Sequence, residues 1–175
     1  LPECPTGAIT LVDREDQEPM VKNLACGCPG TNVTTIKRKT NKSNNTTEYQ
    51  TPLESHLNQW PCQIQLVPVN APYFDNAKLL VAADCTAFAY ANIHRDYMKD
   101  KITIIGCPKL DNVDYAAKLT QIIKANNIKS VTVLRMSVPC CGGLVYAVQK
   151  ALMDSNKMIP WQVVTIGTDG SIIEQ

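Results

Sequence analysis

The sequence predicts an α/β fold: a three-layer, doubly wound domain on a mainly parallel sheet of about five strands, with a Cys-rich N-terminal extension. Three observations predict it. From Trp60 onward, short apolar runs alternate with segments of helical length, the pattern of strands joined by crossover helices. The runs are rich in Val, Ile and Leu at successive positions, as parallel strands covered on both faces must be. The segments between them are long enough for the crossover that a parallel pair requires.

Taken in order, the strands are expected at residues 63–67, 78–83, 101–105, 130–136 and 162–166. Helices are expected at 86–98, 113–126 and 142–155. In the second of these, Ala116, Leu119, Ile122 and Ile123 recur at helical spacing and make an apolar stripe. Upstream, residues 1–30 carry three cysteines among Pro and Gly, and residues 31–59 form a polar linker or long loop ahead of the α/β domain at 60–175. From Thr31 to about Thr51 the composition is Thr, Asn, Lys and Ser, which buries too little apolar surface to offset its ordering entropy. The four Asn-X-Ser/Thr triplets, at Asn32, Asn41, Asn44 and Asn45, fall in this stretch and are read simply as part of a polar loop.

Composition narrows the function. Seventeen basic and sixteen acidic residues leave a formal charge of +1, without the cationic surplus that phosphate backbones demand, so nucleic acid is not expected as a partner. No apolar run reaches the roughly 20 residues needed to span a bilayer, and the N-terminus lacks the regions of a signal peptide. A soluble cytoplasmic protein is expected, with no membrane partner. The chain opens on Leu1 rather than Met, which leaves room for sequence upstream.

Eight cysteines in 175 residues, read in a cytoplasmic setting, point to metal or redox chemistry rather than disulfide staples. Their positions sharpen the reading. The expected strand at 78–83 stops at Asp84-Cys85, that at 101–105 stops at Gly106-Cys107-Pro108, and that at 130–136 leads into Pro139-Cys140-Cys141-Gly142-Gly143. Ligands of such sheets bind outside the carboxyl ends of the strands, and neighbouring strand ends lie about 5 to 10 Å apart. Cys85, Cys107, Cys140 and Cys141 are therefore expected to form one thiolate site for a metal or cluster, with Cys28 as a further ligand from the Cys26-Gly27-Cys28 turn. Gly142 and Gly143 open a helix whose N-terminal dipole favours thiolate or cluster sulfur. With Lys109 they are the expected cofactor-binding residues; Arg135 is a second source of positive charge. Cys62 precedes the first expected strand and is read as structural. His94, nine residues beyond Cys85 on one straight helix, would stand about 13 Å from it and is read as a helix-end or surface residue.

Several activities lack their residues. A cysteine phosphatase needs Arg six positions after its nucleophile, where this chain has Ala91, Val113, Tyr146 and Ala147. No Gly-x-Gly-x-x-Gly or Walker loop supports a nucleotide cofactor, while the fold alone leaves a flavin at the same crevice open.

Cys4-Pro5-Thr6-Gly7-Ala8-Ile9 resembles the end of a bacterial-type ferredoxin motif. With Asn70-Ala71-Pro72-Tyr73-Phe74, Ala82-Ala83-Asp84-Cys85, His94-Arg95-Asp96, Gly106-Cys107-Pro108-Lys109-Leu110-Asp111 and Val138-Pro139-Cys140-Cys141-Gly142-Gly143, the chain from about Cys4 to Ile172 resembles the C-terminal α/β domain of ferredoxin-type 4Fe-4S iron-sulfur proteins of anaerobes. Cys107 followed by Cys140-Cys141-Gly142 is also similar to the cysteine-rich repeat of heterodisulfide-reductase-like proteins. The resemblance implies an iron-sulfur cluster, 4Fe-4S, and an electron-transfer role with a ferredoxin-type or other redox protein as partner. Zinc on the same thiolates, as a structural site, and a cysteine or dithiol enzyme are the alternatives, since both zinc and clusters take four sulfurs.

Overall fold

In a computed structural model of the chain, residues 34–35 and 54–174 are described. The elements run β1 (Thr34–Thr35), β2 (Gln59–Trp60), β3 (Lys78–Ala83), α1 (Thr86–Ala89), β4 (Ile102–Gly106), α2 (Tyr115–Ala125), β5 (Ser130–Met136), α3 (Gly142–Ser155), β6 (Trp161–Ile166) and β7 (Ile172–Glu174), with short 3-10 turns at Pro72–Phe74 and Pro139–Cys141. Thr34 and Thr35 pair antiparallel with Trp60 and Gln59. The main sheet has the order β4-β3-β5-β6-β7, parallel except for β7. This is the expected doubly wound α/β architecture.

Burial explains the sheet. Every residue of β3 except Lys78 is buried, and Val131, Val133 and Leu134 on β5 and Val164 and Ile166 on β6 are closed off as well. Such strands gain their stability from apolar area removed from water on both faces. Asp114 caps α2 by accepting from the Ala116 N–H at 2.8 Å, and Lys124 sits in the last turn where a cation suits the helix dipole. The buried face of α2 carries Ala116, Leu119, Ile122 and Ile123, the stripe read from the sequence. Helix α3 packs alongside α2 and stops at Asn156, whose left-handed φ of 55° ends the helix.

Two expected elements differ, and one strand forms where none was expected. Residues 63–67 do not form a strand. Gln63 makes one parallel bridge to Ile105, then the Leu66 and Val67 N–H groups donate back to the Gln63 carbonyl. Ile64 and Val67 are buried while Gln65 and Leu66 are exposed, a helical spacing that satisfies the backbone locally. The fifth strand is instead β7, three exposed residues joined to β6 by a turn in which Gly170 has a φ of 84°. A Cβ at Gly170 would collide with the Ala89 carbonyl, so this turn packs on the end of α1. The helix expected at 86–98 is broken: Tyr90 turns extended after Ala89, and His94–Met98 form one wide turn closed by the Lys99 N–H on the His94 carbonyl at 3.0 Å.

Candidate functional site

The site begins with the strand order. The chain leaves β3 for β4 on one side, then returns past β3 to place β5 on the other. The loops after β3 and β5 therefore diverge from adjacent strand ends, the topological switch point at which doubly wound sheets open a crevice. Ala82 pairs with Leu134 and Ala83 with Gly106, so Cys85, Cys107 and the Pro139–Cys141 turn leave the same edge.

The thiols differ in setting. Cys85 is exposed at the cap of α1, where Thr86 is buried and its hydroxyl donates to the Ala83 carbonyl at 2.7 Å. That bond fixes the turn from strand to helix. Cys140 is exposed in the 3-10 turn, whereas Cys141, the next residue, is buried at the cap of α3. Burial pushes the Cys141 thiol up; the Met136 backbone hydrogen bond opposes this, and Cys140, hydrogen-bonded to it, and Cys85 add to the rise. These three sulfurs thus share one electrostatic environment.

Cys107 is half-buried. Its carbonyl accepts from the Leu110 and Asp111 N–H groups at 3.2 and 2.9 Å, which curls the loop back. Pro108 then lies against α3, 3.1 Å from where a Cβ at Gly143 would stand, while Gly142 has nothing within 4 Å. Gly143 serves helix-to-loop packing on this geometry. Lys109 is exposed on the same turn, and the Arg135 Nε donates along its own strand end to the Met136 carbonyl at 3.1 Å.

Beneath the crevice lies a group of residues that the sequence reading missed. Tyr115 donates its hydroxyl to Asp111, and Gly106 leaves room for that hydroxyl, which a Cβ there would approach to 2.5 Å. Burial first, then the Asp111 hydrogen bond, push the Tyr115 phenol well above its usual range. Asp84 Oδ1 is buried without a hydrogen-bond partner among the described residues; burial and then Asp111 raise its carboxyl. The Cys62 thiol is raised by burial, lowered by its backbone hydrogen bond and raised by Asp84. Asp111 lies in the loop before the Asp114 cap and Tyr115 opens α2, so no helical spacing in the sequence announced this network.

His94 sits beyond the break in the expected helix, so the straight-helix distance to Cys85 does not apply. Its Nδ1 accepts from the His56 N–H at 3.1 Å. Cys28, with Cys4 and Cys26, lies outside the described residues.

The family follows. A profile described as a Rossmann-like domain matches residues 71–175, and the chain belongs to that family. A protein of Archaeoglobus fulgidus, described only as uncharacterized, is 31% identical over 116 residues, which cover 66% of this chain and 82% of that relative. No solved structure matches the chain. These findings correct the resemblance to ferredoxin-type 4Fe-4S proteins of anaerobes: the family shown is Rossmann-like, and no ferredoxin-type family is shown. The iron-sulfur and ferredoxin labels fall with it. Among the described residues, no three His, Cys, Asp or Glu side chains group so as to hold a metal ion, because Cys141 turns into the core while Cys107 is curled into its own loop. Nor is any helix of the described residues long and apolar enough to cross a membrane.

Proposed function

We propose that this domain is a thiol-based redox protein whose working pair is Cys85 and Cys140, acting on the disulfide of a partner protein. The observation that carries the reading is the placement of these two exposed thiols on the two loops that diverge from adjacent strands β3 and β5. Adjacent Cα atoms stand about 3.8 Å apart, closer than relaxed disulfides allow, so Cys140 and Cys141 are a poor pair. Cys85 follows the end of the neighbouring strand, and adjacent strands stand about 4.8 Å apart, so it is the partner proposed for Cys140.

In the proposed step one exposed thiol, as thiolate, attacks a sulfur of the partner's disulfide and forms a mixed disulfide. The second thiol then attacks the sulfur held on this chain. Two thiols lose two electrons and two protons to become one Cys85–Cys140 disulfide, and the partner's disulfide gains both to become two thiols. Burial raises the Cys141 thiol and its hydrogen bond with Cys140 adds to the rise; in the proposed step Cys141 stays a thiol beside Cys140 and assists when negative charge returns to the Cys140 sulfur.

The reading is tested by equilibrating anaerobically purified protein in glutathione buffers of graded potential and mapping disulfides by mass spectrometry. A two-electron transition that links Cys85 to Cys140 and disappears in Cys85→Ser and Cys140→Ser is expected. Thiols that stay reduced across the range overturn it, as does stoichiometric metal or acid-labile sulfide bound to the same cysteines.

A further inference from the structure

The amino ends of the same three strands carry a second row of like residues. Lys101 directly precedes β4, Lys78 opens β3 and Lys129 directly precedes β5. Leu79 pairs with Ile102 and Lys78 with Ser130, and the Lys129 N–H donates to the Ala77 carbonyl at 2.8 Å. The three lysines therefore stand on neighbouring segments about 4.8 Å apart. They line a cavity of about 380 Å³, shared with Asn58, Asn76 and Asp100.

The charge of this cavity is unbalanced. Among the described residues the ion pairs are Arg95 with Asp96 and Lys150 with Asp154, so no carboxylate lies within 4.0 Å of any of the three ammonium groups. Lys101 is held by neutral groups: its Nζ donates to the Tyr97 carbonyl at 3.0 Å and lies 6.0 Å from the centre of the Tyr97 ring. Burial pushes the Lys101 ammonium down, Lys78 adds to this, and Asp100 opposes it. Like charges side by side on a sheet destabilise it. The turns that bring Lys78 and Lys101 to the cavity pass through Asn76 and Asp100, with left-handed φ values of 57° and 58°. Residues in that conformation concentrate where the surrounding structure is built around a site.

We propose that this cavity at the amino edge of the sheet binds the phosphate group of a small phosphorylated molecule. Three lysines lining one cavity from three segments suit the double charge of a phosphoryl group better than the single charge of a carboxylate. The volume lies within the range of small-molecule sites and exceeds what inorganic phosphate fills. The cavity lies at the opposite ends of the strands from the cysteines, so the inference stands apart from the redox reading.

Calorimetry of the full chain with inorganic phosphate and with pyrophosphate, at an ionic strength held constant with chloride, tests it. Saturable binding of at least one of the two is expected, weakened about tenfold in Lys101→Met and in Lys129→Gln, the size of one charge-assisted contact. The alkylation rate of Cys85 stays as in the wild type in both variants. No saturable heat with the wild-type protein overturns the proposal, as do heats that chloride reproduces or variants that bind as the wild type does. Should Lys101→Met not fold, the exposed Lys129→Gln decides alone.

Discussion

Asp84 shows how one residue couples the crevice to pH. Its carboxyl is held above the ordinary range by burial and then by the Asp111 carboxylate, with Cys62 and Tyr115 as the other titratable groups that face it. The folded chain therefore holds this proton more tightly than the unfolded chain. The stability this contributes is fully present below the unfolded value, about pH 4, and is lost as pH rises through the higher folded value. Asp111 has the opposite sign: the Tyr115 hydrogen bond lowers its carboxyl, so its contribution is present above the unfolded value and lost as pH falls. Asp84→Asn is expected to raise the melting midpoint at pH 7 and to change it little near pH 4. An equal change at both pH values would show that the charge of Asp84 is not the cause. The sequence made the row of strand-end cysteines legible because each follows an apolar run directly. It could not separate exposed Cys140 from buried Cys141, since neighbours in a helical turn face different ways. Nor did it disclose Asp84 as a half-buried acid with a raised carboxyl, because Asp111, which adds to the rise, comes from a segment distant in sequence. The lysine row was open to the same strand-end reasoning, applied to the amino ends.

At the scale of elements, the start of α3 separates two roles that adjacent glycines carry. Ala exceeds Gly in helix propensity by up to about 1 kcal/mol, and at Gly142 an added Cβ meets nothing within 4 Å. At Gly143 the same carbon stands 3.1 Å from Pro108 Cβ, so the loop that carries Cys107 must give way. Gly142→Ala is expected to be the more stable of the two variants in urea unfolding, and Gly143→Ala alone to alter the alkylation rate of Cys107. Equal unfolding midpoints and equal Cys107 reactivity would remove the packing role of Gly143. Elements that bury both faces, β3 and β5 above all, were legible from composition because burial selects their residues. β7 was not, since its three residues are exposed and it is held by pairing with β6. The Ile64-Gln65-Leu66-Val67 run reads as a strand by composition, yet its buried residues are three apart and the Gln63 carbonyl takes up its N–H groups.

For the whole molecule, the order β4-β3-β5 sets two edges apart: thiols leave the carboxyl ends and lysines gather at the amino ends of the same three strands. The redox reading then makes a prediction about global stability. A Cys85–Cys140 disulfide ties together a segment of about 55 residues that holds β4, α2 and β5. By the loop-entropy argument, closing such a loop disfavours the unfolded chain by about 4 kcal/mol, an upper figure because strain at the switch point would subtract from it. Urea unfolding of the oxidised protein is therefore expected at a higher midpoint than that of the reduced protein, with a slope no steeper, since a cross-linked unfolded chain exposes no more surface. The Cys85→Ser variant should unfold at one midpoint under both conditions, which distinguishes this cross-link from oxidation elsewhere in the chain. If oxidised wild-type protein unfolds at or below the reduced midpoint, the bond distorts the ends of β3 and β5, and the two thiols do not serve as a reversible pair in this fold.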